Sequence, residues 1–219
     1  FSQYLQLVRG YSTLQAGLIE LPTSLASIAV IAVVAAAVRR LGNGRALGGG
    51  LILAAAGLLV VAVGESHGGI VVICIGLLVI GAGVGLAFTV STGAVLGSVP
   101  ADRAGAASAI SETGLELGVA LGVAVLGTIQ DVGYRLLLGR PPAGLPDRVV
   151  DAAEQSLATL SGVIDQADPG QARLLGHAQT AFTHAMQATA VIAAGILLVA
   201  GVMAARRVPA TSETSEETA

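Results

Sequence analysis

The sequence predicts an all-α, polytopic integral membrane protein, and three observations support this. Hydrophobic residues make up 54% of the chain and charged residues only 11%, with a mean hydropathy of +0.82; an ordinary soluble domain carries roughly 25% charged residues. Glycine occurs 30 times in 219 residues, which is common where membrane helices approach one another closely. The apolar residues also form long stretches of about the 20 residues that a helix needs to cross a bilayer.

Five such stretches divide the chain. The first four lie within residues 1–129 and the last precedes the C-terminal tail; they cover about 16–38, 46–64, 69–95, 105–128 and 181–205. Each is predicted to be one transmembrane helix, because backbone groups in lipid must pair within their own segment. Residues 130–180 form the one long loop, and residues 206–219 are predicted to be a disordered cytoplasmic tail.

The arginines predict the orientation of these helices. Arg39 and Arg40 lie in the first loop, Arg103 in the third, and Arg206 and Arg207 directly after the last span. The second loop, "ESHGG", has no arginine. Because cytoplasmic loops are enriched in basic residues, we expect a multi-pass protein of the plasma membrane with its odd-numbered loops and C-terminus in the cytoplasm.

The long loop contains a predicted helical hairpin on the outer face. "RPPAGLPDR" is rich in turn-forming residues. The next stretch, "DRVVDAAEQSLATLSGVI", has apolar residues near helical spacing: Val149, Val150, Ala153, Leu157 and Leu160. Asp147 is the expected N-cap. A second helical stretch is expected to continue directly into the last span. The alternative is an irregular loop.

The fourth predicted span, "SAISETGLELGVALGVAVLG", carries two carboxylates. Glu112 and Glu116 share a face, because four residues nearly complete a helical turn. Gly114, Gly118 and Gly122 repeat at the same interval, offset by about 180°. We therefore expect the glycine face to pack against another helix and the acidic face to border a cavity.

The depth of these acids predicts their chemistry. Counted from residue 105 at about 1.5 Å per residue, Glu112 lies about 10 Å and Glu116 about 17 Å into a core of about 30 Å. An ionised acid there is costly, so it is expected to hold a proton or pair with a cation. Competition between a proton and a cation for these groups would couple their movements. The alternative is that both are neutral acids that hydrogen-bond to neighbouring helices.

Other polar residues give weaker predictions. Glu20, near the outer end of the first span, is a third candidate for attracting cations; the alternative is that it reaches surface water. His177 and His184 lack a third ligand, so no metal site is predicted; His184 and Gln187 could border the mouth of a cavity. Neither a basic patch for nucleic acid nor a nucleophile–base pair is evident, so an enzyme, a cofactor or a nucleic-acid partner is not expected.

Several segments resemble one transporter family. They are "QYLQLVRGYSTLQAGLIELPTSLA", "RRLGNGRALGGG" and "SVPADRAGAASAISETGLELGVALGVAVLG". In this order they are similar to the C-terminal half of a major facilitator superfamily transporter, most closely of the fourteen-helix drug:proton antiporters of bacteria (QacA/EmrB-like).

The resemblance implies more than the chain contains. Such transporters have two six-helix halves around a cavity, with two extra helices between them, and use the proton gradient to export lipophilic cations. It implies that Arg103 lies in a cytoplasmic hinge loop, and that Glu116, Glu112 and Glu20 handle protons and substrate. The partners expected are membrane lipid, lipophilic substrates and a missing N-terminal half. The alternatives are a truncated protein that binds partner helices without transporting, or an exporter of neutral or anionic compounds.

Overall fold

The computed structural model describes residues 1–67, 69–142, 144–165 and 168–207, and these are almost entirely helical, with no strand among them. A π-helical turn, Tyr4–Val8, and a 3₁₀ turn, Ala101–Arg103, accompany seven α-helices. These are α1 (Thr13–Ala29), α2 (Ile31–His67), α3 (Ile70–Gly97), α4 (Ala104–Leu138), α5 (Asp147–Gln155), α6 (Leu157–Val163) and α7 (Pro169–Arg207). The all-α prediction is confirmed.

Four helical segments of the described chain are long and apolar enough to cross a membrane. They are Ile31–Glu65, Ile70–Gly97, Ala101–Leu138 and Pro169–Arg207. A polytopic membrane protein is therefore confirmed by the length and composition of its helices.

The helix boundaries near the N-terminus differ from the predicted spans 16–38 and 46–64. The boundary between α1 and α2 at Val30 hardly interrupts the helix. The Val30 N–H donates to the Ala26 oxygen, and the Val30 oxygen accepts from the Val34 N–H, so helical hydrogen bonding continues. The larger break is at Gly42 inside α2, where φ is 77° and ψ is 164°. Only glycine adopts such a backbone readily, so the helical path runs from Thr13 to Leu41 and resumes after Gly42.

The α1 helix runs parallel to α3. Gly81 lies against the backbone of Thr23, and Gly85 lies against the backbone of Ser27. The Ser27 hydroxyl also donates to the Gly81 oxygen at 2.9 Å. Both pairs advance in the same direction along the two chains, which fixes the parallel orientation.

The part of α2 that follows Gly42 runs antiparallel to α3. Gly50 lies against Ala87, and Gly64 against Ile73 at the other end. Because α1 is parallel to α3 and this part of α2 is antiparallel, the chain reverses at Gly42. The segment Ile31–Glu65 therefore consists of two helices that meet at Gly42, and the number of membrane crossings stays a prediction.

The α4 helix stands apart from the other long helices along most of its length. Between residues 104 and 133, Ala107 is its one buried residue. Only its C-terminal end packs closely, where Tyr134 contacts the ring of Phe182 on α7. The helix is longer than the predicted span 105–128, because nothing breaks it before Gly139, at φ 61°. Its 35 residues measure about 50 Å and so exceed a hydrocarbon core of about 30 Å.

The predicted hairpin is present, with one correction. Ser156 adopts an extended conformation (φ −172°, ψ 159°) and its hydroxyl caps α6, so the expected single helix is two helices. Asp147 is the first residue of α5, after Pro146, and its side chain makes no cap hydrogen bond. The apolar pattern is buried at four of its five positions, Val149, Ala153, Leu157 and Leu160, whereas Val150 is half-buried.

One buried hydroxyl joins the hairpin to α4. Tyr134 is 3% exposed, and its hydroxyl donates to the Ala153 oxygen at 2.9 Å. Tyr134→Phe leaves that oxygen without its donor, which costs about 1–3 kcal/mol. We expect proteolysis of the hairpin to accelerate about tenfold, as 1.4 kcal/mol implies. Leu136→Ala, at a position 77% exposed on the same helix, is the control; equal rates for both variants would contradict the prediction.

The start of α7 is held by a carboxylate. One oxygen of Asp168 accepts from the backbone N–H of Gly170 at 2.7 Å and of Gln171 at 3.3 Å. These bonds lower the pKa of Asp168 below its usual 3.8. A depressed folded-state pKa gives stabilisation that is complete above the unfolded value and disappears as pH falls through the folded value.

We therefore expect a pH-dependent weakening of this junction in acid. Protection of the Gly170 and Gln171 amides from hydrogen exchange, relative to intrinsic rates, should decrease between about pH 4 and pH 2. Asp168→Asn should remove this change, whereas Asp151→Asn, at an exposed position of α5, should retain it. The same pH profile in all three proteins would exclude the role of Asp168.

The arginines that are predicted to be cytoplasmic lie at the end of the helix group opposite the hairpin. Gly48 lies against Ala205, which places Arg206 and Arg207 beside the Gly42 reversal. Arg39 and Arg40 directly precede that reversal and are exposed. Arg103, also exposed, follows α3 at the same end. The predicted cytoplasmic residues thus share one end of the described structure.

Candidate functional site

The two acids of α4 lie on the half of the helix that has almost no neighbours. Glu112 and Glu116 are one turn apart, and both are exposed. The prediction that they share one face of one helix follows directly from that helix. The chain by itself therefore leaves both carboxyl groups accessible to a ligand or to another protein segment.

A groove of about 280 Å³ lies between α4 and the C-terminal end of α3, and we call it the Glu112 groove. Glu112 lines it, whereas Glu116 is not among its lining residues. Four hydroxyl groups accompany the carboxyl group: Ser91, Thr92, Ser108 and Ser111. Phe88 and Leu115 add apolar surface. The groove thus combines one acid, several hydrogen-bonding oxygens and an aromatic ring.

The predicted glycine face of α4 has no packed neighbour in the described chain. A side chain added at Gly114, Gly118 or Gly122 would meet no atom within 4 Å. Their role in helix packing stays a prediction, since it needs a partner that the described chain does not supply. The tight glycine contacts of the described chain lie on other helices, among them Gly81, Gly83 and Gly85 of the third-span stretch "GAGVGLAFTVSTG", whose glycines favour helix packing. The others are Gly48, Gly50, Gly57, Gly76 and Gly201.

Glu20 is not brought together with the acids of α4. It is half-buried on α1, three residues before Thr23, which lies against Gly81. The Glu112 groove lies near Val95, further along α3. Along α3, Gly81 and Val95 are 14 residues apart, which corresponds to about 20 Å, so Glu20 lies far from the Glu112 groove. Its role in attracting cations stays a prediction of the sequence.

A further acid, which the sequence reasoning missed, lies at the opposite end of the helix group. Glu65, near the end of α2, is only 6% exposed. Its Oε2 atom is buried and has no hydrogen-bond partner among the described residues. The signal was available, because an acid ends the long apolar run of α2, but it was read as part of the "ESHGG" loop.

Glu65 lines an open groove of about 330 Å³, which we call the Glu65 groove. The other side of this groove is formed by α7, with Gln179, Thr183, His184 and Gln187. His184 Nδ1 lies 3.2 Å from Gln187 Oε1. The interpretation that His184 and Gln187 border a cavity is confirmed. Within the described ranges, no group of three His, Cys, Asp or Glu residues could hold a metal ion.

Comparison with known proteins places these features in context. No protein-family model matches the chain. It is 40% identical over 201 residues to the multidrug efflux pump LfrA of Mycolicibacterium smegmatis, covering 91% of this chain and 40% of that protein. It is 29% identical over 182 residues to the methyl viologen resistance protein SmvA of Salmonella typhimurium, covering 83% of this chain and 37% of that protein.

A third relative is also named for drug resistance. The multidrug resistance protein Stp of Mycobacterium tuberculosis is 38% identical over 128 residues, which is 58% of this chain and 24% of that protein. The chain spans about two-fifths of the length of the first relatives it matches. LfrA is named as an efflux pump, and SmvA and Stp are named as resistance proteins. The resemblance read from the motifs is thus confirmed: the chain is a relative of the bacterial drug efflux proteins of the major facilitator superfamily, and it corresponds in length to a part of such a protein.

Proposed function

We propose that this chain is the C-terminal part of a proton-coupled exporter of lipophilic cations. The observation that carries the proposal is the acid pair Glu112 and Glu116, exposed on a membrane-length helix that has almost no neighbours in the chain. In a complete transporter, the unpaired half of α4 would border the central cavity. The name of the methyl viologen resistance protein SmvA supports a cationic substrate.

The acids supply the coupling in this proposal. A carboxyl group in a low-dielectric cavity is protonated when alone and ionised when a cation lies beside it. Binding of a cationic substrate would therefore release a proton, and reloading the proton would release the substrate. Rocking of two halves around the site would expose it to each side in turn.

The direct test is proton release from the purified intact protein. Methyl viologen, a dication, is added in a weakly buffered solution, and the pH change is followed with a dye. We expect protons to be released in proportion to the substrate bound, and less release after Glu112→Gln together with Glu116→Gln. Binding of methyl viologen without proton release would reject the exchange of protons for a cation at these acids. Absence of methyl viologen binding would favour the alternative, export of neutral or anionic compounds with the acids serving protons only.

Membrane orientation and the missing partner segment belong to the same proposal. The clustering of Arg39, Arg40, Arg103, Arg206 and Arg207 at one end supports a cytoplasmic C-terminus in a bacterial inner membrane. Measuring the intact mass of the protein from its native membrane tests the partner. A mass at least twice 21.6 kDa supports a longer transporter, whereas 21.6 kDa alone favours a truncated protein that associates with other helices.

A further inference from the structure

The Glu65 groove contains a buried carboxyl group that lies far from the acids of α4 and that the proposed coupling does not use. It lies at the hairpin end of the helix group, because α2 ends at His67 and the neighbouring part of α7 precedes residue 190. The Glu112 groove is at the other end of α3. A buried carboxyl oxygen without a partner is costly unless the group is protonated or a cation compensates it. The Glu65 side chain is thus largely buried and also lines an open groove that a ligand can enter.

The polar atoms of α7 leave mainly oxygen acceptors facing this groove. Thr180 donates its hydroxyl hydrogen to the Gly176 oxygen at 3.0 Å, and Thr183 donates to the Gln179 oxygen at 2.8 Å. The amide nitrogen of Gln179 donates to the Leu7 oxygen at 2.8 Å. Each of these side chains retains oxygen lone pairs that can accept. A carboxyl group beside such oxygens suits a ligand that carries positive charge, because the carboxylate and the oxygen lone pairs all attract a cation.

The charged and titratable neighbours leave room for such a ligand. From the N-terminal segment, the Tyr4 hydroxyl lies 3.5 Å from the Glu65 backbone oxygen, and Arg9 interacts with Tyr4. From α7, the titratable group is His184. The start of α3, residues 69–73, has no ionisable side chain. No described residue forms a salt bridge with Glu65.

We propose that the Glu65 groove is a second cation-binding site, in which the Glu65 carboxyl group holds a proton when the groove is empty and pairs with an organic ammonium or pyridinium group when it is occupied. The inference rests on the proposed function, because the groove would serve as an outer station of the same transporter. Its place at the hairpin end would put it on the path of a substrate that has left the acids of α4.

The test is chemical labelling of the intact protein. Dicyclohexylcarbodiimide modifies protonated carboxyl groups in apolar surroundings, and peptide mass spectrometry locates the label. We expect Glu65 to be labelled at pH 6 and labelling to decrease about tenfold when methyl viologen is present at ten times its Kd. Glu65→Gln should abolish the label on this peptide. Glu154→Gln, at an exposed position of the hairpin, should leave it unchanged.

Two further measurements separate this site from the acids of α4. In a Glu112→Gln, Glu116→Gln protein, methyl viologen should still protect Glu65, because the two grooves lie at opposite ends of α3. Protection that requires Glu112 and Glu116, or a Glu65 that is never labelled, would overturn the inference. Labelling and protection of Glu65 in a protein that exports nothing would leave the cation site standing and would reject the proposed function instead.

Discussion

Glu116→Gln in the intact protein is expected to reduce export of methyl viologen driven by a proton gradient by about a hundredfold. The substitution preserves the size of the side chain but removes its proton and its negative charge. Placing a charged side chain at the membrane centre costs about 2.5–3.5 kcal/mol of free energy, and this cost is what a bound cation or proton relieves. A hundredfold loss of export corresponds to about 2.7 kcal/mol, which lies within that range. Export is measured as accumulation of radiolabelled methyl viologen in inverted vesicles.

Glu112 supplies the internal comparison for this experiment. It is about 6 Å nearer the edge of the membrane than Glu116, and the hydroxyl groups of its groove are available to replace part of its role. We expect Glu112→Gln to reduce export only about tenfold, equal to about 1.4 kcal/mol. Glu154→Gln, on the exposed hairpin, should not change export. A Glu116→Gln protein that still exports a dication with a proton gradient would show that the assignment is wrong.

The fold was largely predictable because lipid restricts the structures that a chain can adopt. Long apolar stretches must be helices. The α7 helix contains the predicted span 181–205 completely, and α3 contains the predicted span 69–95 except for Gly69, its N-cap. The helix ends were less predictable. Composition gives the part of a helix that lies in lipid, but α4 continues through Tyr134 to Leu138 because packing against α7 and the hairpin stabilises the extra turns.

The hairpin shows a second limit of sequence reasoning. The apolar spacing across residues 149–160 continues as one pattern, so periodicity alone predicts one helix. Ser156 interrupts it, because a serine side chain can cap the next helix more favourably than it continues the first. The residues to be buried were predicted correctly, while the break depended on a local hydrogen bond.

The candidate site was predictable only in part, because a side chain's role depends on its neighbours. The spacing of Glu112 and Glu116 fixed their common face, but it did not identify which of them lines the groove. Glu65 was missed because its burial depends on α7, more than 100 residues away. Glycines show the same limit, since Gly81 and Gly114 both lie in apolar runs, yet only Gly81 contacts another helix.

This difference between glycines gives the second large prediction. Gly81→Ala would place a methyl group onto the backbone oxygen of Thr23, with the Thr23 carbonyl carbon at 2.8 Å. Backbone atoms cannot rotate away as a side chain can, so α1 and α3 must separate. Such overpacking costs about 1–3 kcal/mol, and the partner being backbone places Gly81 at the upper end of this range. Separation would also break the hydrogen bond from Ser27 to the Gly81 oxygen.

Gly93→Ala is the matched control, because Gly93 lies on the same helix and an added side chain there meets no atom within 4 Å. There alanine should stabilise the helix by about 0.5–1 kcal/mol relative to glycine. The two variants of the 219-residue chain are compared in detergent micelles by unfolding with sodium dodecyl sulfate, followed by circular dichroism. We expect the free energy of unfolding to decrease for Gly81→Ala and to increase slightly for Gly93→Ala. A decrease of the same size in both would mean that α1 does not pack on α3 through Gly81, and the parallel arrangement of these helices would have to be abandoned.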